Sequence, residues 1–237
     1  MKTLSKSILF LLASICMGNL HAQTADEIVN KYINAIGGKE VLNGIKTVYE
    51  EGTLELNGNE APSTTYIVSG KAFKNIINFN GQEIVQCVTE KGGWAINPMM
   101  GQTTATAMTD EQMKSLKLSM DVGGPLVDYA VKGNKVELTG KDTTAGVISY
   151  KLKLTTKDKI EIQLFIDAKT YYIIKSITEV PAQGEAKTTF TDYRKTDFGF
   201  VMPFSMELAL PAFTFSMVNK KIEINKVIDP AIFEMPK

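Results

Sequence analysis

Along most of the chain, apolar and polar side chains alternate with a period of two, the pattern of β-strands with one buried and one wet face. The stretch from 160 to 227 is the clearest case. Ile160-Glu161-Ile162-Gln163-Leu164-Phe165-Ile166 alternates, Asp167-Ala168-Lys169-Thr170 turns the chain, and 171–180 returns as a strand rich in β-branched and aromatic residues. Pro181-Ala182-Gln183-Gly184 is a second turn, with φ fixed at Pro and freed at Gly. Strands over 186–194, 200–210 and 213–227 follow, with a corner at Asp197-Phe198-Gly199. Connections this short admit only antiparallel neighbours, so the stretch predicts an up-and-down meander.

An earlier run has the same character. Strand patterns cover 47–56, 61–69, 71–79, 83–89 and 94–96; Asn57-Gly58-Asn59 forms one turn, and Asn80-Gly81 is the strongest hairpin signal in the chain. Two more strands, 135–142 and 146–156, lead into the later meander, for eleven or twelve in all. Helical patterns are few. Thr24 and Glu27 have capping-box spacing, and Ile28, Val29, Tyr32, Ile33 and Ile36 form one apolar stripe that Gly37 terminates. A short second turn of helix is expected over 38–45. The segment 97–133 shows no strand pattern; it holds Pro98, a Gly/Thr-rich loop, and a helix that Thr109 can cap.

These patterns predict a mainly antiparallel β fold with a few helices. So many meandering strands leave exposed edges and one greasy face unless the sheet curls. The expected architecture is an incomplete (half-) β-barrel, closed by helices around an apolar cavity. One domain over 23–237 accounts for the length, since no Pro/Ser-rich linker divides it.

The first 22 residues read as a signal peptide. Lys2 and Lys6 precede an apolar run from Ile8 to Met17, and Leu20-His21-Ala22 ends in a small residue suited to cleavage before Gln23. The run is too short for a spanning helix, which needs about 20 residues. Cys16 invites comparison with a lipidation site, but Ile15 stands where such a site wants a small residue, so outer-membrane anchoring is the lesser alternative to a periplasmic chain.

Cleavage changes the available chemistry. His21 is the only histidine and leaves with Cys16, so Cys87 remains as the single thiol. Without histidine, the common triad nucleophiles and imidazole-containing metal sites are excluded, and no spacing singles out a carboxylate pair. No enzyme and no cofactor are expected. Lys plus Arg and Asp plus Glu are both 26 in the full chain, with no basic stripe for nucleic acid.

Five of the 11 methionines, Met99, Met100, Met108, Met113 and Met120, fall in the segment between the two sheet runs. Met113, Leu116 and Met120 lie at i, i+3 and i+7, an apolar ridge on the predicted helix. Methionine is flexible and polarisable, which suits surfaces that accept apolar ligands of varied shape. With Trp94 and Leu126, these residues are the candidate lining of a ligand cavity beneath a movable lid over 99–126. The same ridge also suits a plain plug at the end of a sheet.

Several short motifs carry a family resemblance: Ala25-Asp26-Glu27-Ile28 through Gly37-Gly38 and Ile45, Ile166-Asp167-Ala168-Lys169-Thr170, Thr191-Asp192-Tyr193-Arg194, Asp197 to Phe204 with Pro203, and Ile228-Asp229-Pro230 through Phe233 and Pro236. In these the chain resembles the exported outer-membrane lipoprotein-sorting proteins, the LolA/LolB-like family, over nearly all of its length after residue 22. The resemblance implies an incomplete barrel closed by helices around a hydrophobic cavity. It also implies a monomeric, non-catalytic periplasmic carrier or binding protein for lipoprotein acyl chains or another lipid, served by a membrane-associated donor or acceptor protein. The alternative it leaves open is a sensor domain that detects lipidated proteins and signals through a partner. Intact-mass measurement of exported material is expected to show a chain beginning at Gln23; a diacylated cysteine at the new N-terminus would overturn that expectation.

Overall fold

The computed structural model describes residues 23–144, 146–180 and 183–236. The predicted signal peptide and the Pro181-Ala182 half of one predicted turn lie outside them. Helix α1 (Ala25–Ala35) starts as its sequence requires. The Thr24 hydroxyl accepts from the Glu27 N–H at 3.2 Å, and the Glu27 carboxylate accepts from the Thr24 N–H at 3.0 Å. Ile28, Val29, Tyr32 and Ile33 are buried along one stripe, each aliphatic member worth about 2 kcal/mol of apolar burial. Gly37, at φ 125°, then redirects the chain into α2 (Gly38–Gly44). A Cβ at Gly37 would lie 2.9 Å from the Gly199 carbonyl oxygen, so the turn and the close approach both require glycine.

Thirteen strands form one sheet. In chain order they are β1 (Thr47–Leu56), β2 (Asn59–Val68), β3 (Ala72–Phe79), β4 (Gln82–Thr89), β5 (Gly93–Asn97) and β6 (Gln102–Ala107). After helix α3 (Asp110–Leu116) come β7 (Lys135–Thr144), β8 (Val147–Thr155), β9 (Glu161–Asp167), β10 (Ile173–Val180), β11 (Gly184–Lys195), β12 (Val201–Ala209) and β13 (Thr214–Ile224). Asn57-Gly58 and Asn80-Gly81 have positive φ at both central residues, the hairpin turn whose twist matches its strands. The spatial order is β6-β5-β4-β3-β2-β1-β13-β12-β11-β10-β9-β8-β7. The two predicted meanders are therefore halves of one sheet, joined where β1 pairs antiparallel with β13 from Val48↔Ile224 to Leu56↔Phe215.

Strand β6 corrects the reading of 97–133 as free of strands. Its sequence, Gln-Thr-Thr-Ala-Thr-Ala, has no apolar alternation because it is an edge strand exposed on both faces. β-Branched threonine and pairing with β5 hold it in place. The sheet is open: β6 and β7 end it and do not pair with each other.

Register assigns every strand two faces. Directly opposed residues share a face, and the row Ile224↔Val48↔Ile67↔Phe73↔Val88 marks the face on which the helices lie. One apolar cluster on this inner face joins α1 to Val48 on β1, Leu152 and Leu154 on β8, and Leu164 and Ile166 on β9, with Ile67 of β2 and Val136 of β7 at its borders. Nine adjacent strands spaced about 4.8 Å apart span roughly 38 Å when flat, whereas a helix is about 10 Å wide. A single cluster can reach from β2 to β7 only because the sheet curls around α1, the incomplete barrel that the strand count predicts.

A second cluster lies on the outer face. Ala72, Val85, Cys87 and Trp94 pack there against Phe233, from the C-terminal helical turn Pro230–Phe233. The Phe233 carbonyl accepts from the Trp94 indole N–H at 3.0 Å and from the Cys87 thiol at 3.4 Å. Burial pushes the Cys87 thiol up to about 11 against the opposing pull of Lys74, so little thiolate is present at neutral pH. Cys87 is accordingly expected to resist thiol reagents in the native protein and to react at a normal rate once residues 228–236 are deleted. Fast native labelling of the intact chain, followed by mass spectrometry, would contradict this assignment.

Candidate functional site on the inner face of the sheet

The structure separates the residues that the sequence groups. Met108, Met113, Leu116 and Met120 do come together, packed with Phe73 and Val88 in a small cluster on the inner face of β3 and β4. Helix α3 starts with its own capping box, Gln112 N–H to the Thr109 hydroxyl at 3.3 Å and Thr109 N–H to the Gln112 side chain at 2.9 Å. It ends at Leu116, and Met120 lies on the 3-10 turn that follows, Lys117–Met120. Gly93 lets this unit approach: a Cβ there would meet Met113 at 3.2 Å and the Cys87 carbonyl at 2.9 Å.

The other candidates go elsewhere. Trp94 is on the outer face, where the alternation of β5 puts it opposite Cys87. Met99 and Met100 sit on the turn between β5 and β6, 58 % and 78 % exposed. Leu126 is in the main core with α1. The segment 99–126 is thus three pieces: an edge hairpin, the α3 unit, and a stretch anchored in the core.

Beside the main cluster is a cavity of about 210 Å³, lined by Tyr32, Val48, Glu50, Ile67, Asp121 and Tyr193 among others, with Phe200 and Met202 on its β12 side. Glu50 is the unexpected member. Protein encloses its carboxyl at depth, while the residue keeps partial exposure on the cavity side. Desolvation pushes the carboxyl up to about 7, and a hydrogen bond with the Asn219 side chain opposes the rise. Asp121 is also raised by burial, held back by the Lys132 ammonium at 2.6 Å. Tyr193 donates to the Ile173 carbonyl at 2.6 Å and stacks on Tyr172 with ring centroids 4.4 Å apart. A wider cleft of about 470 Å³ adjoins at Asp121 and Gly123, but Lys46, Lys71, Asp128 and Lys132 line it, which suits solvent better than an apolar ligand.

Sequence reasoning missed Glu50, which stands out as an anomaly of parity once the pairing of β1 is known. In Val48-Tyr49-Glu50-Glu51-Gly52-Thr53-Leu54 the even positions face inward, so Glu50 is a charge on the apolar side. It begins a polar row across four strands, Glu50↔Thr65↔Asn75↔Gln86. Asn75 donates to the Thr65 hydroxyl at 2.9 Å and the Ser63 hydroxyl at 3.1 Å. Beyond this row the inner face is apolar again: Leu54, Ile77, Ile84, Met206, Leu208 and Met217. Most of these are half-buried, and all lie outside the helix-packed clusters. Length explains why. The 11 residues of α1 extend about 16 Å, and the 10-residue strands beneath reach roughly 33 Å.

The raised carboxyl makes stability depend on pH. Glu50 binds its proton more tightly when folded than at the ordinary value of 4.5, so its contribution is fully present below about pH 4.5 and is lost as pH rises through about 7. That loss is on the order of 3 kcal/mol by pH 8. Glu50→Gln, similar in shape but unable to ionise, is expected to be more stable than the wild type at pH 8 and nearly equal at pH 4.5. Denaturant midpoints at the two pH values measure this; parallel pH dependences of the two proteins would refute it.

No family model matches the chain, and no curated protein matches its sequence. Solved structures do. A DUF1329 family protein from Desulfovibrio piger superposes with a TM-score of 0.61 at 13% identity, covering 90% of this chain and 98% of that one. A LolA superfamily protein from Nitrosomonas europaea gives 0.60 at 10% identity, with the same two coverages. An outer-membrane lipoprotein-sorting protein domain from Vibrio parahaemolyticus gives 0.57 at 12% identity, over 88% and 97%. The curled, open antiparallel sheet with helices on its inner face is the fold of these proteins.

Proposed function

We propose that this chain is a non-catalytic periplasmic carrier or binding protein for lipoprotein acyl chains or another lipid. One observation carries the reading: the inner face continues as an apolar surface past the end of its helical cover, and a mostly apolar cavity opens beside Glu50, at the border of that surface. An uncovered apolar face of this kind is costly in water unless something occupies it. Its methionines, Met206 opposite Met217, can repack around chains of different shape. The fold shared with a LolA superfamily protein and a lipoprotein-sorting domain supports the same ligand class. The predicted signal peptide supports the compartment, and the loss of histidine with it disfavours catalysis.

The α3 unit is the movable part of this reading. Its cluster has only three buried residues, Val88, Met113 and Met120, against sixteen in the main core, so it should open at lower free energy than the sheet. Ligand entry then involves α3 lifting from β3 and β4. Hydrogen exchange is expected to be faster in 110–120 than in β1 and β13, and to slow when an acyl ligand binds.

Replacing Met206 and Met217 by Glu puts two charges on the uncovered face and should weaken binding of a fluorescent fatty acyl probe at least ~10-fold, with strand content unchanged. Met113→Glu with Met120→Glu should weaken binding and also lower stability, because those residues are buried. A wild-type protein that binds no acyl probe would refute the proposed function.

A further inference from the structure

We infer that the cavity at Glu50 is a head-group site for an amphiphile bearing an ammonium group, with the chain of that amphiphile lying on the uncovered apolar face. The inference rests on the carrier reading and adds the chemistry of the head.

The cavity combines aromatic rings and a carboxylate without a cation to balance them. Tyr32 from α1, Tyr193 from β11 and Phe200 line it together with Glu50 from β1. Aromatic rings beside a carboxylate are the side chains that recognise amines and quaternary ammonium ions. Elsewhere the chain supplies its own cations to its rings: Lys175 lies 3.8 Å from the Phe165 centroid, Lys226 3.5 Å from Tyr49, and Lys74 5.1 Å from Trp94. Those rings are on the outer face. Among the described residues, no Lys or Arg lies over Tyr32, Tyr193 or Phe200, and none forms an ion pair with Glu50.

The groups facing Glu50 from each packed element define its electrostatics. Asn219 of β13 is a neutral donor, Thr65 of β2 is directly opposite, and the phenols of Tyr32 and Tyr193 are kept un-ionised by burial. Asp121 adds a second carboxylate whose partner, Lys132, is already engaged at 2.6 Å and also donates to the Gly124 carbonyl at 3.0 Å. A buried carboxylate with only a neutral donor is costly when ionised, and an incoming ammonium offsets part of that cost. Position fits the same ligand. Two residues beyond Glu50 along β1 is Gly52, and two further is Leu54, itself buried, with half-buried Met217 opposite it where the apolar zone beyond the helices begins. A head group held at Glu50 therefore leaves its chain along Leu54 and Met217.

Calorimetric titration with dodecylammonium, 1-monolauroylglycerol and dodecanoate, each below its micelle concentration, tests the inference. At pH 8 dodecylammonium is expected to bind roughly 10-fold or more tightly than the neutral glyceride, as a close charge pair and ring contacts together supply. The ammonium stays charged to pH ~10, so the preference should disappear at pH 5, where Glu50 is protonated, and in Glu50→Gln at either pH. If all three ligands bind equally at pH 8, if dodecanoate binds most tightly, or if Glu50→Gln retains the preference, the head-group assignment is wrong while chain binding stands. If none binds, both the assignment and the carrier reading fall.

Discussion

Thirteen strands present one continuous inner face, and the stripe of Ile28, Val29 and Ile33 on α1 is the principal surface available to bury it. Because the helix is narrow, the sheet must curl until strands from β2 to β7 touch one cluster. Because the helix is also short, its length matches only about half that of the longer strands, and helical cover ends before they do. The curl, the cavity beside Tyr32 and the uncovered zone around Met206 and Met217 all follow from that shortage of helical cover. Natural monomers rarely leave a large apolar patch open, so the part of the sheet that α1 fails to cover is where a ligand has the most to gain.

The border between covered and uncovered zones is polar. Glu50, Thr65, Asn75 and Gln86 cross the inner face in one row, and Asn75 satisfies the hydroxyls of both Ser63 and Thr65. Such a row weakens the sheet's apolar packing, since a buried carboxyl raised to about 7 is a net cost at neutral pH. A fold selected only for stability would place valine at position 50. The cost is explained if the row meets the polar end of an amphiphile whose chain continues past it.

Trp94 illustrates how a plausible ligand-contact residue takes a structural role. A large aromatic next to a methionine-rich segment suggests a cavity wall, yet strand alternation sends it to the outer face. There its N–H meets the Phe233 carbonyl and Lys74 lies over its ring. It fastens the C-terminal segment across β3 to β5, covering Cys87 and closing an outer surface that would otherwise be apolar. Met99 and Met100 likewise belong to an edge turn, not to the inner face.

Local order in the chain determined most of the elements. The Thr24 and Thr109 capping boxes, the Asn-Gly turns and the alternation of β1 and β9 are set by contacts within a few residues, and they stand in the structure where the sequence places them. Edge strand β6 was not legible, because a strand exposed on both faces has no apolar period to read. Which residues share a site was decided only by tertiary structure. Pairing of β1 with β13 joins positions some 170 residues apart and fixes the parity of every strand on either side. That parity turns Glu50, Met206 and Met217 inward and Trp94 outward. Alternation along one strand shows that its two faces differ, but only the register with neighbours, transmitted across the sheet to α1, decides which face is inside.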